Sequence, residues 1–257
     1  MTVALLIAVA PSLALGAVLG ALGGLLGIGG GIIAIPVLVL CYGMDQQMAQ
    51  GTALVMMVPN VLIGFWRYRQ RNPFPLRTAL TIGLASIVST YPAARLAVAL
   101  DAHALKLAFA VLLLWLAGYF VWISRRQAGG EVPSAGWNER YLPAVGVVGG
   151  LFAGLFSVGA GIVAAPILVQ GFGKRQAVAQ GLALALVVPG ALVALATYSR
   201  AQHVDWHLGA PLAVGGMATI SWGVALAHRL PERRLKQLFA LMLLGTAILM
   251  MQPHRGG

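Results

Sequence analysis

GALGGLLGIGGGIIAIPVLV, residues Gly20–Val39, returns 130 residues later as GLFAGLFSVGAGIVAAPILV, residues Gly150–Val169. Gly20, Gly24, Gly29, Gly31 and Pro36 fall on Gly150, Gly154, Gly159, Gly161 and Pro166 without a gap. The same shift carries Ala49-Gln50-Gly51 onto Ala179-Gln180-Gly181, Pro59 onto Pro189, Tyr68 onto Tyr198 and Lys106 onto Lys236. A shared apolar composition gives chance matches of Leu, Ala and Val. It does not bring Gly, Pro and Gln into register. The chain therefore reads as a duplication, with a first repeat over 1–124, a polar linker over 125–140 and a second repeat over 141–257.

Around these stretches the sequence is that of a membrane protein. Of its 257 residues 60% are hydrophobic and 9% charged, against about a quarter charged in soluble domains. Crossing the hydrocarbon takes roughly 20 apolar residues. Near-continuous apolar stretches run over 3–27, 48–66, 78–98, 104–124, 141–157, 178–198, 208–228 and 235–251. The first of them lacks a basic flank and is too long for a leader's apolar region, so it reads as a membrane segment. The pieces at 31–42 and 161–172 are about a dozen residues each, roughly 18 Å as helix, too short to cross alone. Cys41 is the only cysteine, which excludes an intrachain disulfide.

The net charge of +11 does not point to nucleic acid, because it is not a patch. No basic residue precedes Arg67, and the rest stand in short clusters between apolar runs, the pattern of cytoplasmic loops. If each short piece folds back, 13 of the 17 Lys and Arg lie on one side and 4 on the other. If each unit crosses once, the division is 9 against 8. Positive charge collects on the inner side, so the bias favours folded-back units and halves of opposite orientation. The expected fold is an all-α integral membrane protein of two inverted repeats. Each repeat holds a Gly-rich broken or re-entrant helix unit plus three transmembrane helices, about 8 to 10 membrane segments in all.

The breaks carry the chemistry. A run such as Gly29-Gly30-Gly31 resists continuous helix, since glycine visits positive φ freely. The helix that follows begins with backbone N–H groups that lack intrahelical acceptors and sit at the positive end of the dipole. In lipid such donors call for an acceptor, and an anion serves. Two inverted breaks would aim two such termini at one anion near the bilayer midplane. Glycines that merely allow close helix packing are the plainer alternative. The expected contacts are the backbone at Gly29, Gly30 and Gly31 and at Gly159, Ala160 and Gly161. The neutral donors Gln50, Thr52 and Gln180, beside Gly51 and Gly181, would help, although helix capping explains them as well. Asn60, Ser86, Ser89, Ser157 and Ser221 are lone polar residues in apolar stretches, each expected to bond a neighbouring helix backbone, with one or two of them lining a path as the alternative.

The acids Asp45, Asp101, Glu131, Glu139, Asp205 and Glu232 all fall in loops or at segment ends, as do the histidines. A buried proton relay is therefore not expected. No nucleotide-binding, metalloprotease or serine-hydrolase motif is present, so no enzyme, cofactor or metal is expected. The implied partners are a small anionic substrate and the lipid bilayer, not nucleic acid, and assembly as a homo-oligomer is left open. A channel or uniporter for another small solute, or an accessory subunit, are the alternatives.

The paired stretches Gly20–Val39 and Gly150–Val169, with AQGTAL at Ala49–Leu54 and AQGLAL at Ala179–Leu184, resemble the sulfite exporter TauE/SafE family of membrane permeases over nearly the whole chain. The resemblance implies transport of small sulfur-containing anions, such as sulfite or sulfonates, across a bacterial cytoplasmic membrane. It assigns the glycine motif to Gly27, Gly29, Gly30, Gly31 and Pro36 and to Gly159, Gly161 and Pro166. In the second copy Ser157 and Ala160 replace glycines, so unequal half-sites are expected.

Overall fold

The computed structural model describes residues 2–26, 29–127, 135–158, 161–227 and 232–251. Among them the chain is helical: α1 Thr2–Leu26, α2 Gly31–Tyr42, α3 Gln46–Arg71, α4 Leu76–Ala99 and α5 Ala102–Gln127. A 3₁₀ turn at Glu139–Tyr141 leads into α6 Leu142–Phe156, α7 Gly161–Gln170, α8 Gln176–Arg200, α9 Trp206–Ala227 and α10 Glu232–Met251. Helices α3, α4, α8 and α9, and Ala102–Trp122 of α5, are long and apolar enough to cross a bilayer. Val9–Leu25 and α2 are shorter apolar helices.

Acidic residues stand where helices begin. The Asp45 carboxylate accepts the Met48 N–H at 2.7 Å, Asp101 accepts from His103 and Ala104, and Asp205 accepts from Leu208. Each satisfies donors that a first turn leaves open. Helix α2 stops at Gly43, whose φ of 65° suits a left-handed cap.

In lipid there is little hydrophobic drive between helices, so close approach must supply the contact energy. Glycines four apart provide it. Gly16, Gly20 and Gly24 of α1 meet Leu212, Gly216 and Ile220 of α9, in that order. Gly146, Gly150 and Gly154 of α6 meet Ile82, Ser86–Ser89 and Thr90 of α4. A Cβ on any of these six glycines would fall 2.2–2.4 Å from an atom of the partner helix. Both pairs are parallel, and each joins one sequence half to the other. Helices α3 and α9 also run parallel, through Val55–Gly209 and Asn60–Gly216, and so do α4 and α8, through Gly83–Ala185 and Thr90–Gly190. By contrast α3 and α8 cross antiparallel, with Gly64 against Leu184 and Gln50 bonded to Tyr198. The buried apolar clusters likewise draw on both halves.

The first break is a reversal. Gly23 packs on Gly30, and Gly29 and Gly31 lie against Met57 and Val61, midway along α3. Helix α2 then runs back and ends just before α3 starts. At one end of the bundle the Phe74 ring rests on Gly181, so the α3–α4 connection meets the first turns of α8. Arg69, Arg71, Arg77, Lys174 and Arg175 collect there. Glu139 also lies at this end, and its ion pair with Lys174 holds its carboxyl below the usual range. At the other end the His203 carbonyl rests on Gly51, and Gln47 donates to the Leu100 carbonyl at 2.7 Å.

Candidate functional site

Gly29 and Gly30 have φ of 73° and 88°, a region that costs other L-residues about 1–2 kcal/mol. Gly30 caps α2 without help from a side chain, its carbonyl taking the N–H groups of Ile33 and Ala34. Gly31, the first residue of α2, faces the Met57 sulfur and the Ser157 carbonyl, which would lie 3.1 Å from a Cβ there. Ser157 caps the C-terminus of α6 with a φ of 51°. The edge of one break thus touches the edge of the other. Gly161, the first residue of α7, is buried. Gly27, Gly159 and Ala160 lie outside the described residues.

Behind the first break is a cleft lined by Gly23, Gly24, Gly29, Asn60, Gly64, Tyr68, Leu184, Ile220 and Val224, about 160 Å³ of empty space. It is too narrow to admit a solute in this conformation. Asn60 is fully buried, and neither its Oδ1 nor its Nδ2 has a hydrogen-bond partner among the described residues. Gly216 packs against this amide so closely that a Cβ there would sit 2.6 Å from Nδ2. A buried amide without partners costs about 1–3 kcal/mol, so its persistence asks for a reason.

The equivalent place in the other half is built differently. The repeat shift puts Gly190 where Asn60 stands and Ser86 where Gly216 stands. There the Ser86 hydroxyl lies 2.7 and 2.9 Å from the Gly83 and Leu186 carbonyls, and Thr90 donates to carbonyls of Ser86 and Gly150. Ser86 and Thr90 bond helix backbone, as lone hydroxyls in membrane helices do. Asn60 does not. Its sequence signal was an Asn facing a Gly in a register that otherwise matched Pro59 to Pro189 and Tyr68 to Tyr198.

The other expected contacts divide. The Tyr198 hydroxyl donates to Gln50 Oε1 across the α3–α8 crossing, while Gln50 Nε2 has no partner. The Ser157 hydroxyl is within reach of Tyr198 but forms no well-aligned bond. Gln50, Tyr198 and Ser157 therefore form a buried polar string that ends at Gly31. Thr52 accepts the Asp205 N–H at 3.0 Å. Its counterpart is Leu182, and the counterpart of Asp205 is Pro75, which has no N–H to satisfy. Gly51 and Gly181 permit the close approach of His203 and Phe74. Gln180 is half-buried in the first turns of α8. No charged side chain is buried among the described residues, and none form a metal-binding cluster.

A family model described as sulfite exporter TauE/SafE matches residues 12–250. A probable membrane transporter protein of Xylella fastidiosa strain 9a5c is 26% identical over 244 residues, 91% of each chain. A probable membrane transporter protein of Methanocaldococcus jannaschii is 28% identical over 163 residues, 60% of this chain and 59% of the relative. No solved structure matches the chain.

Proposed function

This chain belongs to the sulfite exporter TauE/SafE family of membrane transporters, and from that premise we propose that it moves a small anion, a sulfur oxyanion or organosulfonate, across the bacterial cytoplasmic membrane. The observation that carries the reading is the meeting of the two breaks at Gly31 and Ser157, beside unpartnered amides and away from any buried charge. Backbone N–H groups at Gly29–Gly31 and Gly159–Gly161 can bind an oxyanion without a fixed counter-charge, and the amides of Gln50 and Gln180, at opposite ends of the bundle, can receive it along the path. Thr52 joins them if its bond to Asp205 opens. A site that binds by dipoles alone holds its anion loosely enough to release it.

The antiparallel crossing of the equivalent helices α3 and α8 supports repeats of inverted orientation, the plan on which such sites lie between two halves. With the Arg69–Lys174 end inside, each negative charge exported gains about 2.3 kcal/mol per 100 mV. Export then needs no buried carboxylate and no nucleotide.

The test is efflux of labelled sulfite and of a small sulfonate from liposomes holding purified protein, a potassium gradient setting the potential. Saturable efflux of at least one of the two that accelerates when the trapped side is negative is the expected result. Absence of both fluxes, from vesicles shown to contain folded protein, rejects the anion.

A further inference from the structure

We infer that Asn60 makes the cleft selective for a singly charged oxyanion that still carries an O–H group, over the fully ionised dianion and over an anion of similar size with no O–H. The inference rests on the anion-permease reading above and names the form of the substrate. Asn60 lines the cleft and carries an N–H₂ donor and a carbonyl acceptor, both buried and both without partners among the described residues. The rest of the wall is glycine, apolar side chains and Tyr68. A fully ionised oxyanion has acceptors only. It would satisfy Nδ2 and leave Oδ1 desolvated against negative charge. An anion with one O–H accepts from Nδ2 and donates to Oδ1, so both amide atoms are paired.

Charge argues the same way. The desolvation cost of an ion grows with the square of its charge, so dipoles that offset a single charge fall short for two unless an opposite charge joins them. Among the described residues the wall offers none. Helix α1 contributes Gly23 and Gly24, α8 contributes Leu184, and α9 contributes Ile220 and Val224. Tyr68 of α3 is the one titratable group on the wall, with Arg71 within electrostatic reach of it. Arg67, near the end of α3, donates to the Ser221 hydroxyl at 3.3 Å. A monoanion is what dipoles without a cation can hold.

The experiment uses the full chain in liposomes, equal pH on both sides and a potential set by potassium. Sulfite flux is measured below and above the second ionisation of sulfurous acid, with methanesulfonate and sulfate for comparison. Wild-type sulfite flux is expected to follow the hydrogen-sulfite fraction and to exceed methanesulfonate and sulfate flux by at least about tenfold. Asn60→Leu should bring the hydrogen-sulfite to methanesulfonate ratio close to one. Asn60→Ser, which keeps a donor and an acceptor, should retain the pH profile at a lower rate. Faster flux of the sulfite dianion, equal wild-type flux of methanesulfonate, or an undiminished ratio in Asn60→Leu overturns the inference. If Asn60→Leu fails to insert, the wild-type profile and Asn60→Ser decide. If wild-type protein moves no anion of any charge, the permease reading itself falls, and this one with it.

Discussion

Gly64 and Gly29 line the same cleft but make opposite demands on a side chain. A Cβ at Gly64 would lie 3.5 Å from a Leu184 methyl, ordinary contact. Gly64→Ala should therefore leave the melting temperature unchanged or raised, since alanine favours helix by up to about 1 kcal/mol. It should also reduce flux severalfold by narrowing the cleft. At Gly29 the φ of 73° and a Val61 methyl 2.3 Å from the new carbon act together. Gly29→Ala should cost about 2 kcal/mol or more and lose melting temperature along with flux. Thermal melts in detergent beside flux in liposomes separate the two. Thr52→Val should cost about 1–3 kcal/mol by stranding the Asp205 N–H, with anion selectivity unchanged; a shifted selectivity would return Thr52 to the substrate. The sequence made the break glycines legible, because only a backbone need explains Gly in register twice. It singled out Asn60 but assigned it a bond to a neighbouring helix backbone. An Asn in an apolar helix usually bonds its neighbour, and only coordinates reveal that this one has no bond.

At the scale of elements, the α3–α8 crossing is held by the Tyr198–Gln50 bond. Interhelical bonds of this kind contribute about 0.6 to 1.7 kcal/mol, too little to decide folding and enough to shift two conformers roughly 3- to 20-fold. Tyr198→Phe should accordingly keep the fold and change which side of the molecule admits an impermeant thiol reagent at a cysteine placed in the cleft. A loss of insertion instead would make the bond structural. The order of these elements was readable from the gapless shift of 130 residues. Their partners were not. A repeat gives equivalence between α1 and α6, but it is silent on whether each packs within its own half or across. The answer depends on which glycine face matches which helix.

For the whole molecule, the ends make a prediction about sidedness. Phe74 and Gly181 bring the Arg69 and Lys174 regions to one end, and Gly51 and His203 mark the other. Single cysteines at Arg69 and Lys174, in a Cys41→Ser background, should both react only from the cytoplasm. Wild-type Cys41, exposed at the end of α2, should react from outside. Labelling of Arg69 and Lys174 positions from opposite sides would reject the inverted arrangement. The charge count in the sequence favours it, because the loops it assigns to the two sides hold 13 and 4 of the 17 Lys and Arg.

The exchange of partners between halves also has a consequence for synthesis. The glycine face of α1 fits against α9, which leaves the ribosome nearly 200 residues later. At about 5–20 residues per second the first helix waits roughly 10–40 s beside the translocon with its docking face uncovered. The first half produced alone should therefore be degraded. Co-production of the second half should rescue it, and the newborn chain should depend on whatever shelters solitary helices in the membrane.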